Sequence, residues 1–411
     1  MIEKFVSGNE CGIRTNVYAL SNDKGEAILI DTSYSFDGLL KEIKSKYIIK
    51  GILITHSHID HIDGLKLFVG TNIPIYMSKG SKEALSNSKA SSYYIIGKDS
   101  PFKNSDLNII VVEDNEVINL LGYDIKVLLT RGHTTGSTTF VIEKLKAIFS
   151  GDTLFAGRHG MTTYYGGDHI EMLESVKKIT SYPDDYILYP GHDEIDTINN
   201  LKYLNDLNIE LFTFGKGFRV DTNVYLVSNG DDAIIFDTSF EFDKALKIIN
   251  ERYNLRGIFI THSHMDHIDG LKYFIGSDIP IYMSIETENG MYDKNITSYY
   301  MINQEPPFKK GDLNIIHVKD NDVIDIIGKK VKVISTPGHQ KGATSYNISH
   351  AIFSGDTIFK SRHAWTTYPT GNEEDMKNTL KKLLSYPKNY YIYPGHDELT
   401  TVKESLFLKE E

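Results

Sequence analysis

Two copies of one ten-residue string constrain this chain more than any other feature. Thr55-His56-Ser57-His58-Ile59-Asp60-His61-Ile62-Asp63-Gly64 returns 206 positions later as Thr261-His262-Ser263-His264-Met265-Asp266-His267-Ile268-Asp269-Gly270. Three imidazoles and a carboxylate within six residues fit neither a hydrophobic core nor an ordinary surface. They fit half of a two-metal site. Finding the string twice predicts two metal-binding domains in tandem.

The correspondence extends well beyond the histidines. Thr15-Asn16-Val17-Tyr18 matches Thr222-Asn223-Val224-Tyr225, and Ile73-Pro74-Ile75-Tyr76-Met77-Ser78 matches Ile279-Pro280-Ile281-Tyr282-Met283-Ser284. Phe149-Ser150-Gly151-Asp152-Thr153 matches Phe353-Ser354-Gly355-Asp356-Thr357, and Tyr189-Pro190-Gly191-His192 matches Tyr393-Pro394-Gly395-His396. The repeat divides the 411 residues into domains at 1–206 and 207–411. With 40% hydrophobic residues, each half can bury its own core. No glycine- or proline-rich linker separates them, so an intrachain pseudo-dimer is expected. The offset falls from 206 at His133/His339 to 204 at Asp152/Asp356. A two-residue deletion is best tolerated in a hairpin turn.

Short runs of Ile, Val, Leu and Phe predict buried strands at 27–30, 52–54, 125–129, 147–149 and 186–188. Amphipathic stretches at 36–47 and 170–179 predict helices. Metal-competent side chains recur just past the strands: Asp31, His56, His133, Asp152 and His192 each lie beyond the end of one. In a layered α/β protein that edge is where a site is assembled.

The residues themselves suggest how the donors divide. His56 and His58, two apart, project from an extended segment, and a distant His133 adds a third nitrogen to a first ion. Asp60, His61 and His192 suit a second ion, with Asp152 between them. His262, His264, Asp266, His267, His339, Asp356 and His396 repeat the set. Imidazole and carboxylate without thiolate suit zinc first, with iron or manganese as alternatives. Asp31 and Asp237, at strand ends, are expected to orient a ligand histidine.

The order H-x-H-x-D-H, lone G-H, G-D-T, final G-H resembles the metallo-β-lactamase-fold hydrolases. His56, His58, Asp60, His61, His133, Asp152 and His192 carry it, then their seven counterparts. Gly151-Asp152-Thr153-Leu154-Phe155 and Thr336-Pro337-Gly338-His339 look most like the glyoxalase II branch, the hydroxyacylglutathione thioesterases. The resemblance implies an α/β architecture of two tandem αββα sandwich domains, with two divalent metal ions in each. It also implies hydrolysis of a small ester, thioester or lactone by a metal-bridging hydroxide. Two cations ~3.5–4 Å apart activate such a water and polarise the scissile carbonyl. Asp60 and Asp266 would hold the second metal and take a proton from the nucleophile. Main-branch zinc β-lactamases have a cysteine where this chain has Asp152. A further catalytic-type domain also occupies the place of the helical domain of glyoxalase II.

Rival readings are a nuclease or phosphodiesterase of the same fold, an iron-dependent persulfide dioxygenase-like enzyme, and a metal-binding protein with one silent site. A net charge of −11 without a basic patch speaks against nucleic acid, so a small-molecule substrate is expected. No apolar run is long enough for a membrane span. The lone Cys11, read as a bystander, and the absence of a signal-like h-region lead to a cytoplasmic expectation. Ten of fifteen histidines are assigned to ligands. His169, His317 and His350 have no repeat partner and read as surface. His159 and His363, and the tyrosine pairs Tyr93/Tyr299, Tyr94/Tyr300 and Tyr164/Tyr368, read either as packing or as pocket lining. The two sets differ around their ligands, at Arg131, Thr134 and Met161 against Pro337, Gln340 and Trp365. That difference predicts different substrates.

Overall fold

The computed structural model describes residues 1–7, 14–102, 107–214 and 221–409; Cys11 lies outside them. They divide into two compact units, Met1–Asn205 and Asp206–Glu411. In the first, strands β1 (Ile2–Ser7), β2 (Thr15–Ser21), β3 (Glu26–Ile30), β4 (Ile48–Leu53), β5 (Ile75–Ser78) and β6 (Ile109–Val112) form one sheet in that order. β1 to β3 pair antiparallel, and β3 to β6 pair parallel. A second sheet contains β7 (Val117–Leu120), β8 (Tyr123–Leu129), β9 (Thr138–Ile142) and β10 (Ala147–Gly151). A short ribbon, β11 (Leu154–Phe155) and β12 (Arg158–His159), comes next, and β13 (Ile187–Pro190) and β14 (Asp196–Thr197) complete the second sheet. Its only parallel pair is β10 with β13, whose register breaks between Phe149 and Gly151.

Alternation along β3 explains the layering. Ile28 and Ile30 face the second sheet, where they join Tyr18, Leu53, Val127, Phe140 and Phe149 in a dry core. Ala27 and Leu29 face the other way, onto Phe36 and onto Leu40 and Ile43 of the helix Asp37–Lys46. Burying each of those two helix side chains is worth about 1.5–3 kcal/mol, more than propensity offers a ten-residue helix. The helix His169–Thr180 begins at Asp168, whose side chain accepts from the Glu171 N–H.

The second unit repeats both sheets, with strand order conserved. Its sandwich core is more aromatic: Phe236 and Phe353 stack at 3.9 Å, Phe236 packs on Phe259, and Tyr346 packs on both Phe236 and Phe259. On the outer face of its second sheet, Met376, Leu380 and Leu383 of the helix Glu373–Leu383 pack with Ile334, Ile352 and Ile392. Each unit is therefore a mixed α/β sandwich. The two-residue deletion falls in the hairpin between Ile142 and Ala147, which tightens to Ser349 and His350 between Ile348 and Ala351. Among the described residues no helix is long and apolar enough to cross a membrane.

Candidate metal centre

The parallel strands end where the histidines begin. β4 runs into Thr55-His56, His58 caps a single helical turn over Ile59–Ile62, and that turn carries Asp60 and His61. Gly151 ends β10 with φ +52°, and Gly191 comes directly after β13. These ends deliver all seven sequence-predicted residues of the first half to one place. His56, His58 and His133 form one group of donor atoms, Asp60, His61 and His192 another, and Asp152 joins His56 and His61. The second half forms His262, His264, His339 and Asp356, and separately Asp266, His267 and His396.

Distances show how closely the donors converge. His133 Nε2 lies 2.9 Å from His58 Nδ1, and His61 Nε2 lies 3.4 Å from His192 Nε2. Asp152 Oδ2 lies 3.5 Å from His133 Nε2 and 3.2 Å from His192 Nε2. Its Oδ1 lies 3.3 Å from His61 Nε2. Asp356 reproduces the arrangement, at 3.7 Å from His339 and 3.3 Å from both His396 and His267.

The buried cluster leaves polar atoms without partners. His56 Nε2 and Asp152 Oδ1 have no hydrogen bond, and neither does Asp356 Oδ1. Such atoms cost roughly 1–3 kcal/mol each unless something satisfies them. Converging nitrogen and carboxylate donors fit divalent cations, and donor groups without a thiolate among the described residues fit zinc, iron(II) or manganese.

In four of the five ligand-type histidines of the first half, all but His58, the outward nitrogen is already engaged. His61 Nδ1 meets Asp31 Oδ2 at 2.9 Å, His133 Nδ1 the Met161 carbonyl at 2.7 Å, and His192 Nδ1 the Arg14 carbonyl at 2.6 Å. His56 Nδ1 sits 3.1 Å from Thr55 Oγ1. Asp31 also accepts from Thr55 N and Oγ1, each at 2.7 Å, so its strand-end position ties the β4 exit to His61. In the second half Asp237, Trp365, Asp221 and Thr261 make the equivalent contacts. Fixing one nitrogen sets the tautomer and aims the other inward.

Charge divides the cluster. Burial, reinforced by neighbouring imidazoles, holds His56 well below the ordinary histidine range and His58 at about 3. Burial also opposes charge on His61 and His192. Asp152 and Asp60 outweigh it, raising His61 strongly and His192 to about 10. The same balance sets His264 at about 3, His267 at about 10 and His396 at about 12. Asp60 and Asp152 resist the upward push of burial because His61 and His192 hold them well below the carboxylate range.

Several residues serve the site in ways that motif reading missed. Thr15 Oγ1 donates to Asp60 Oδ2 at 3.3 Å, and Thr222 Oγ1 to Asp266 Oδ2 at 3.2 Å. Asn16 Nδ2 donates to the Pro190 and Asp193 carbonyls, and Tyr18 Oη to the Pro190 carbonyl, holding the loop that carries His192. The matched Thr-Asn-Val-Tyr strings were the available signal.

Other expectations resolve residue by residue. Tyr93 is buried and donates to Asp63 at 2.8 Å, as Tyr299 does to Asp269, so both pin a turn. Tyr164 stands edge-on to His58 and His133, and Tyr368 to His264 and His339. His159 and His363 turn Nδ1 to the next residue's carbonyl. His317 pairs with the buried Glu288 at 2.6 Å. Gln340 is a brace. Its Oε1 accepts from Ser263 N at 2.9 Å and Ser263 Oγ at 2.8 Å, and its Nε2 donates to the Ile296 carbonyl. Arg131 is half exposed and lies 3.9 Å from Glu171.

The chain belongs to the metallo-beta-lactamase superfamily, whose sequence profile matches residues 12–192 and again 217–396. An uncharacterized protein of Aquifex aeolicus is 31% identical over 202 residues, 48% of this chain and 94% of the relative. A hydroxyacylglutathione hydrolase of Prochlorococcus marinus is 32% identical over 181 residues, 43% of this chain and 63% of the relative. This chain thus spans under two thirds of that hydrolase. The crystal structure of the BLEG-1 B3 metallo-beta-lactamase aligns at 26% identity with a TM-score of 0.44, covering 50% of this chain and 97% of that one.

Proposed function

We propose that each half is a dinuclear metal-dependent hydrolase acting on a small ester, thioester or lactone. The observation that carries this reading is the shared carboxylate: Asp152 Oδ2 approaches both His133 and His192, members of separate donor groups. His56, His58 and His133 would hold one cation, Asp60, His61 and His192 the other, with Asp152 between them. The second half would use His262, His264 and His339, then Asp266, His267 and His396, with Asp356 between. Zinc is the first choice for the metal.

When bound, such a pair supplies an activated water and a polarised acyl oxygen. The chain's own residues do the rest. Asp60, steadied by Thr15 and His192, is placed to take the proton released as water adds to the acyl carbon. Asp266 has the same setting between Thr222 and His396. Tyr164 and Tyr368 wall the three-histidine side and narrow the approach of solvent. The hydroxyacylglutathione hydrolase relatives favour acyl transfer to water over phosphodiester cleavage.

Elemental analysis of protein reconstituted with zinc, iron(II) or manganese, with a panel of thioesters, lactones and phosphodiesters, tests the reading. The expected result is four metals per chain and turnover of acyl substrates. Two or fewer metals, or turnover of phosphodiesters alone, would overturn it.

A further inference from the structure

The chain's one tryptophan stands on the rim of the second cluster. Trp365 is 63% exposed, an unusual setting for so large an apolar ring. Its backbone is nonetheless fixed, because its carbonyl takes His339 Nδ1 at 2.6 Å. The ring lies 6.2 Å from Tyr368 at 32°. Tyr368 in turn stands edge-on to His264 at 5.0 Å and His339 at 5.5 Å. Aromatic surface therefore runs without a break from the donor histidines to solvent. Tyr300, close enough to Tyr368 to interact with it electrostatically, also faces solvent, on the turn that Tyr299 pins to Asp269.

The first cluster has the same backbone and a different rim. Met161 takes the place of Trp365 and offers the same carbonyl to His133. Arg158 is held by Asp193 at 2.9 Å with its side chain 16% exposed. Its counterpart Arg362 reaches Asp397 only at 3.4 Å, is 47% exposed, and lies 5.9 Å over the Trp365 ring. A cationic ligand would meet Arg362, and an aliphatic one would be served as well by methionine. A flat, uncharged ring gains most from Trp365, since offset or edge-on aromatic pairs add to area burial.

We propose that Trp365 and Tyr368 form an aryl-binding subsite that makes the second cluster selective for acyl substrates carrying an aromatic ring. This rests on the hydrolase reading above and adds the substrate class. Stacking of this kind corresponds to a preference of about tenfold over the first cluster.

Because no other tryptophan exists, tryptophan fluorescence of the full chain reports this position alone. Titrating the zinc-loaded protein with phenylacetate should give a saturable change, at concentrations about tenfold below those at which acetate acts. An equal response to both, or none to phenylacetate, would overturn the subsite. The second measurement uses kcat/KM for phenylacetyl and acetyl thioesters of one thiol, in an Asp152→Ala background. Trp365→Met should lower the phenylacetyl-to-acetyl ratio about tenfold, and an unchanged ratio would overturn the proposal. Absence of any thioester turnover would sink the hydrolase reading instead, and the fluorescence titration would still decide the subsite.

Discussion

Asp31 Oδ2 and His61 Nδ1 meet at 2.9 Å in a site where both side chains are almost fully buried, and Asp237 and His267 repeat the contact at 2.9 Å. The aspartate sits at φ 61°, a conformation that asparagine also tolerates. Asp31→Asn therefore leaves the backbone unperturbed. It replaces one acceptor oxygen by a donor, which then faces either Thr55 N or both Thr55 Oγ1 and His61 Nδ1. Metal affinity of the first half should fall roughly 10–100-fold, measured by chelator competition. Unaltered affinity would show that His61 needs no orienting partner.

A methyl group at Gly191 should damage the same site without replacing a ligand. A Cβ there would lie 2.3 Å from Asp152 Oδ1 and 2.7 Å from His61 Cε1, and at Gly395 2.4 Å from Asp356 Oδ1 and 2.5 Å from His267 Cε1. Gly191→Ala should lose metal from the first half and Gly395→Ala from the second, each with an unchanged far-UV circular dichroism spectrum. Full metal content in either variant would contradict this geometry.

Gln340 offers a test of asymmetry between the halves. Gln340→Ala removes the partner of Ser263 N and Oγ, both buried, and of the Ile296 carbonyl. Each unsatisfied buried group costs about 1–3 kcal/mol. The second half should unfold at lower denaturant, seen as a tryptophan-fluorescence transition that moves below that of the parent chain, because the only tryptophan, Trp365, lies in that half. Thr134→Ala loses only contacts to Ser137 and Gly136 and should cost less.

Much of this architecture was readable in the residues. Short continuous apolar runs marked β3, β4, β8 and β10, because side chains buried on both faces, as in β3 and β10, leave little room for polar residues. The length difference between copies fell in a hairpin turn, where few contacts constrain the chain. Contacts made by backbone atoms were not readable. His192 Nδ1 finds a carbonyl 178 positions away and His396 one 175 positions away, and any residue type can supply a carbonyl. Gln340 read as a substrate-facing difference because its partner Ser263 lies 77 positions away, joined only by the packing of the two sheets.

Protons should be released when metal enters. At neutral pH the metal-free clusters hold protons on His61, His192, His267 and His396, whose pKa values Asp60, Asp152, Asp266 and Asp356 raise against burial. A cation must displace them from the nitrogens facing it. The same shifts govern the stability of the metal-free chain. Raised histidines stabilise fully below their ordinary value of 6.5, and that contribution is lost as pH climbs towards about 10 in His192. Depressed histidines such as His58, at about 3, act oppositely. Below 6.5 the unfolded chain takes up a proton that the folded one refuses, so stability falls as the pH is lowered. Metal-free protein should therefore be most stable near pH 6.5, by denaturant titration across pH 5–9. A monotonic profile would contradict the division of charge. Calorimetry of zinc binding in buffers of different ionisation enthalpy should count the protons lost.

The two clusters should also work independently, since every ligand-type residue of each lies within its own unit. Asp152→Ala removes the carboxylate between the first half's donor groups and leaves Asp356 in place. It should halve metal content and leave hydrolysis by the second half, while Asp356→Ala does the reverse. The double variant should be inactive yet folded, because the clusters sit at strand ends, outside the apolar cores built around Phe149 and Phe353. Metal analysis and kcat/KM on one acyl substrate for the three proteins would test this. Loss of all activity in either single variant would mean that one half is silent or that the halves share a site.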